Sequence, residues 1–284
     1  MTEQAELRPA PWVPLSLRDE PERREEFHAL REGVPVGAQR MLVEWCVEQF
    51  EGFDRSDYVA RLKQFEIASN HRIGDALYSS SHYLADALRA HDEALLDAIE
   101  FALQWASEWH RSALADILRA GRSIYRIGQG EGGRWELQKT HSDELVEMVE
   151  ATAGRSGRAA EHLRIAWSSI AGRQPDPEKA CWEAAKAVEV AAKRVIAPDD
   201  DTATLGKMRG EIKANPGRWE IDLAPAESIG RLIAMMSVVW EEGRRHGDEK
   251  KLIGVAPEAA EIVVQTAVVL VNWFESGFVR RASK

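Results

Sequence analysis

The stretch Gly230–Lys251, GRLIAMMSVVWEEGRRHGDEKK, decides how this chain is read. Its first half is apolar at helical spacing: Leu232, Ile233, Met235, Met236, Val239 and Trp240. It then turns polar at Glu241-Glu242, breaks at Gly243, and presents Arg244, Arg245 and His246 before Gly247. A polar loop from Asp248 to Lys251 follows, and a second apolar helix begins at Pro257. Polar groups on a short connector between two rigid helices are a common setting for chemistry. The expected class is all-α, and the connector is the first place to look for function.

Downstream, Val263, Val264, Val268, Val269, Leu270, Val271 and Phe274 make the last helix apolar on more than one stripe. Such a helix needs more than one neighbour, and a homodimer through the C-terminal bundle is expected. The run is too short to span a membrane and carries Gln265, Thr266 and Asn272, so no membrane partner is expected.

Upstream, Asp176-Pro177-Glu178 starts a helix that runs to Ile196 and stops before Pro198. On it, Glu183, Lys186 and Glu189 are spaced as an exposed face. Thr204 caps a short helix that Pro216-Gly217 ends, and 215–223 is irregular. Residues 158–171 and 141–153 read as helices, the second capped by Ser142. The intervening Gly154-Arg155-Ser156-Gly157 is either a hinge between domains or a bend in one long helix. Before them, 123–139 alternates as a strand on either side of Gln129-Gly130-Glu131-Gly132-Gly133, a small β-hairpin. Those glycines lack the Gly-Lys-Ser/Thr ending of a phosphate loop.

The amino-terminal half is helical again. Met41, Leu42, Trp45, Cys46 and Phe50 recur at helical spacing, as do Tyr58, Leu62 and Phe65. Helices are expected over 75–90 and 92–120, with Leu77, Leu84, Leu88, Leu95, Ile99, Leu103, Leu114 and Leu118 in the core. Trp105 and Trp109, four apart, are expected on one helix face. Pro9, Pro11 and Pro14 give an extended arm that Trp12, Val13 and Leu15 would pin to the body. The expected organisation is a helical part with hairpin over 1–154 and a helical bundle over 155–284.

Charge separates these parts. Residues 1–154 carry a net −11 and residues 155–284 a net +1. The acidic part argues against broad duplex binding, while Arg244, Arg245, Lys250 and Lys251 are placed to approach a phosphate. Cys46 and Cys181 lie far apart and read as reduced core residues. The first residues lack the basic and apolar regions of a signal peptide, so a cytoplasmic protein is expected. His71, His82, His91 and His110 share no metal spacing, and no nucleotide fingerprint or Ser-His-Asp order stands out; no metal and no cofactor are expected.

Five segments recur in an order that resembles the C-terminal domain of bacterial abortive-infection proteins of the actinobacterial type. They are Asp176-Pro177-Glu178-Lys179-Ala180, Ala185-Lys186-Ala187-Val188-Glu189, Ala203-Thr204-Leu205-Gly206-Lys207, Arg245-His246-Gly247 and Glu258-Ala259-Ala260. The resemblance covers about residues 160–279. It implies a HEPN-like bundle, usually dimeric, of a kind that often cleaves RNA without a metal in phage defence. Arg245 and His246 would then be catalytic, with Arg244, Lys250 and Lys251 on RNA phosphates. Histidine suits the 2′-hydroxyl proton near neutral pH, and arginine the phosphoryl charge. The resemblance also implies an amino-terminal part that senses a phage or host protein trigger. The family arginine would fall at 239–241, where this chain has Val239, Trp240 and Glu241. A non-catalytic dimerisation or partner-binding module is the alternative.

Overall fold

The structure, a computed structural model, describes residues 20, 22, 28–52, 54–70, 80–155, 157–222, 228–244 and 254–282. The main helices are α1 Gln39–Glu51, α2 Arg55–Ser69, α3 Ser81–Ala90, α4 Asp92–Ala102, α5 Glu108–Gly121, α6 Asp143–Ala153, α7 Arg158–Ala171, α8 Pro177–Ile196, α9 Leu205–Ala214, α10 Ser228–Arg244 and α11 Pro257–Glu275. Strands β1 Tyr125–Gln129 and β2 Trp135–Lys139 pair with each other, as do β3 Trp219–Ile221 and β4 Val279–Arg281. The protein is mostly helical with a small hairpin, the expected class. The expected proline-rich arm and Leu77 lie outside the described residues.

The chain forms two units, residues 1–99 with 107–124, and residues 100–106 with 125–284. In the first, α1 packs against α2, α3 and α5. Leu42, Cys46, Phe50, Leu62, Leu84, Leu88, Leu95, Ile99, Leu114 and Leu118 are all buried there. Met41, on the same helical repeat, is exposed. Side-chain caps set the helix starts: Asp54 accepts from the amides of Ser56 and Asp57, Ser80 from that of His82, and Ser107 from that of His110. Those bonds to Asp54, the Ser56 hydroxyl first among them, hold its carboxyl below its ordinary pKa.

The expected helix over 92–120 is two helices, α4 and α5, with a turn at 103–107. The reason is local: Ser107 restarts the helix by capping it, so the chain spends its backbone groups on a new N-terminus. Trp105 and Trp109 therefore do not share a helix face. Trp105 sits in the turn with its ring 5.0 Å from Phe101, edge to face, and Trp109 is exposed.

In the second unit α8 is the central helix, contacted by α7, α9, α10, α11 and β4. Asp176 caps it, accepting from the Lys179 amide, and Pro177 fills its first turn. Its buried face is built of small residues, Ala180, Ala184, Ala187, Ala191 and Ala192 with Cys181 and Val188, which let several helices approach closely. The apolar stripes of α11, which motivated a homodimer, are buried within this unit against α6, α7, α8 and α10.

The hairpin pairs Tyr125 with Lys139, Ile127 with Leu137 and Gln129 with Trp135. Its tip needs the glycines, because residues 132 and 133 hold φ of 64° and 75°. Residues 100–106 join this unit through the hairpin: Glu100 accepts from the Leu137 amide and from Arg173, and Gln104 donates to the Trp135 carbonyl. The segment read as irregular, 215–223, contains β3, whose partner β4 follows α11. Strands of three residues are too short to show alternation, and these are some sixty residues apart in sequence.

Candidate functional site

α10 ends at Arg244, whose side chain lies outside the described residues, as do Arg245, His246, Lys250 and Lys251. What is described is the helix end that leads to them. Here the Arg209 guanidinium, from α9, lies 4.0 Å over the Trp240 ring. It donates to Ser237 Oγ at 2.8 Å and stands 3.6 Å from Glu241. Gly206 completes the fit, since a Cβ there would collide with the Trp240 indole. Trp240 occupies one of the positions where the resemblance asks for an arginine, and a guanidinium reaches the same place from α9.

A second cluster lies between α7 and α8. The connection between the two helices is short, so they run antiparallel as close neighbours. Arg158 and His162, four apart, share a face of α7; Glu183, Lys186, Val190 and Lys193 form a helical stripe on α8. Where the two faces meet, His162 Nδ1 donates to Glu183 Oε2 at 2.6 Å. Lys186 Nζ donates to the other carboxylate oxygen at 3.1 Å. Glu183 is only 8 % exposed, so the stripe read as a solvated helix face is in part a buried ion cluster. A carboxylate is tolerated there because both of its oxygens are engaged by donors.

His162 lines a cavity of about 850 Å3 that opens beside this cluster, and Glu183 does not line it. An ionised carboxylate only accepts, so in the neutral ring Nδ1 carries the proton and Nε2 keeps its lone pair. Nε2 has no protein partner among the described residues.

The rest of the lining is mainly cationic: Arg158, Lys186, Lys193 and Arg194. Two acids also line it. Glu189 accepts from the Leu205 amide at the start of α9, and the Asp201 carbonyl accepts from Lys193. Arg194 is mostly exposed, with Glu275 4.0 Å away. Four cations against two acids, around an imidazole oriented by a carboxylate, can hold a phosphate and move a proton beside it.

No family model, curated protein or solved structure matches this chain.

Among the described residues no group of acids, histidines and cysteines is arranged to hold a metal, and no helix is long and apolar enough to cross a membrane. Cys46 and Cys181 are both buried and neither is in a disulfide, and burial pushes the Cys46 thiol far above its usual pKa, which keeps it an unreactive thiol.

A smaller cavity of about 340 Å3 lies between the hairpin and α6–α7, lined in part by Arg126, Trp135, Arg164 and Trp167. Gln138, buried, accepts from Arg126 and Trp167 and donates to Gln129 and Glu136, while Arg126 Nε is buried with no partner among the described residues. Close by, the His141 ring packs 4.8 Å from that of Trp167, and its Nε2 is buried with no partner among the described residues.

Sequence reasoning missed His162 and Glu183. The available signal was the pairing of two stripes, Arg158/His162 and Glu183/Lys186/Lys193, on helices joined by too short a loop to be anything but neighbours.

Proposed function

We propose that this protein is an RNA-cleaving effector of the abortive-infection kind, working without a metal at the cavity between α7 and α8. The observation that carries the proposal is the His162–Glu183 pair, whose histidine lines a cavity edged by Arg158, Lys186, Lys193 and Arg194. The resemblance of residues 160–279 to abortive-infection domains supports the same chemistry. The cations hold a phosphodiester, and His162 Nε2 takes the proton of the adjacent 2′-hydroxyl. The 2′-oxygen bonds to phosphorus, the bond to the 5′-oxygen breaks, and that oxygen takes a proton from solvent. The products are a 2′,3′-cyclic phosphate and a 5′-hydroxyl. On this reading the protein acts in the cytoplasm as a homodimer, with the first unit sensing a phage or host protein.

The test compares wild type, His162→Ala and His246→Ala on structured cellular RNA with chelator present, after circular dichroism confirms equal folding. His162→Ala is expected to lower cleavage by about a hundredfold or more. Loss confined to His246→Ala would move the chemistry to the Arg244–Lys251 connector. No cleavage by folded wild type, even under phage challenge, would reject cleavage and favour the partner-binding module.

A further inference from the structure

Trp182 stands one residue before Glu183 on α8 and is 48 % exposed. A tryptophan left this open on a helix whose other face is the centre of a core is unusual, because burying the indole would stabilise the fold. It is not isolated. Lys186, one turn along, carries its Nζ 5.0 Å from the centre of the indole ring. The same ammonium group hydrogen bonds Glu183, and Lys186 lines the cavity that His162 edges. A single lysine thus joins the exposed ring to the cationic cavity.

We infer that Trp182 is a stacking platform for a nucleobase of single-stranded RNA whose neighbouring phosphate lies in the α7–α8 cavity. The inference rests on the proposed RNA site and names the form of RNA it takes. The distances suit it: Trp182 and Lys186 are four residues apart on α8, a rise of about 6 Å, comparable to the step from one nucleotide to the next. Stacking on an aromatic ring is open only to a base that has left its helix, and it tolerates any base because each has a π face. The cation at the ring strengthens the site for a ligand that is aromatic at one end and anionic at the other. A duplex could offer its phosphates to Arg158, Lys193 and Arg194 but no base to Trp182.

The experiment measures binding, with a 2′-O-methyl oligonucleotide that cannot be cleaved. Fluorescence anisotropy compares a labelled single strand with its duplex, on wild type, Trp182→Ala and Trp182→Phe. The expected result is a loss of about tenfold or more in single-strand affinity for Trp182→Ala. Trp182→Phe should keep most of it, and duplex affinity should stay unchanged in both variants. Because Trp182 is exposed, both variants should melt as wild type does. Wild-type binding of the single strand that Trp182→Ala leaves intact, or an equal loss on duplex, overturns the platform while leaving the cavity reading standing. No binding of either oligonucleotide by wild type overturns both. A wild-type dimer that Trp182→Ala turns into a monomer by light scattering would assign the ring to a contact between copies and overturn the platform.

Discussion

The two sides of α8 are made from one continuous helix and behave in opposite ways. One side is dry: Ala180, Ala184, Val188 and Ala191 are closed off completely or nearly so, and their job is to let neighbouring helices come close. The other side holds Glu183, Lys186, Val190 and Lys193, and with α7 it leaves a cavity instead of closing it. Two histidines, one on α7 and one packed against it, show the same contrast. His162 is gripped by a carboxylate at 2.6 Å; His141, against Trp167, has its nearest carboxylate partner, Glu261, at 3.5 Å and is desolvated. The difference teaches where to look for function in a helical bundle. A side that tolerates charge without solvating it fully must arrange its partners, and arranged partners are what catalysis and binding require.

Ala184→Leu should have the largest effect on stability, because it attacks the dry side where no space remains. Ala184 is fully buried in the middle of the buried face of α8. Inserting a larger side chain into a closed helix contact costs about 1–3 kcal/mol. Chemical denaturation should show that loss, with cleavage per folded molecule unchanged. Unchanged stability would mean that this face is looser than its burial implies.

Glu183→Gln probes the polar side and should show the reverse balance. Glutamine keeps the shape and can still accept the His162 Nδ1 proton, but it lacks the charge that steadies an imidazolium. Replacing one charged member of this small network should cost about 1 kcal/mol. Cleavage should fall by about tenfold or more, as expected when an orienting carboxylate is lost. A large loss of stability with cleavage per folded molecule intact would make the cluster a lock between α7 and α8 and nothing more.

The contrast also explains what the sequence made legible. Dry positions could be read where apolar spacing reports burial directly: Leu42, Leu62, Val263, Val268 and Val271 are buried where helical periodicity puts them. The caps at Ser142, Asp176 and Thr204 could be read for the same reason, since each acts on residues three positions away. The polar side could not. Glu183 and Lys186 satisfy the rule for an exposed i, i+3 pair, and only the presence of His162, twenty-one residues earlier, converts the pair into a buried cluster. The Arg209–Trp240 stack was hidden in the same way, for it joins two helices whose packing no local pattern specifies. Trp109 misled in the opposite direction, its apolar character being taken for burial that the fold does not provide.

The smallest expected effect belongs to His141, and it sharpens the comparison of the two histidines through pH. Burial pushes the His141 pKa below its ordinary 6.5; Arg126 and Lys139 push the same way, and Glu261 opposes them without prevailing. In the unfolded chain this imidazole takes a proton more readily than in the folded one. Its neutral form therefore favours the folded state fully above pH 6.5, and that contribution is lost as pH falls through the lowered folded pKa. His141→Phe removes the proton site, keeps a ring against Trp167, and leaves no buried ring nitrogen without a partner. The melting temperature of wild type should drop more than that of the variant between about pH 7.5 and about pH 5. Parallel drops would show that His141 is protonated in the folded protein as readily as in the unfolded one, with Glu261 offsetting the cost of its burial.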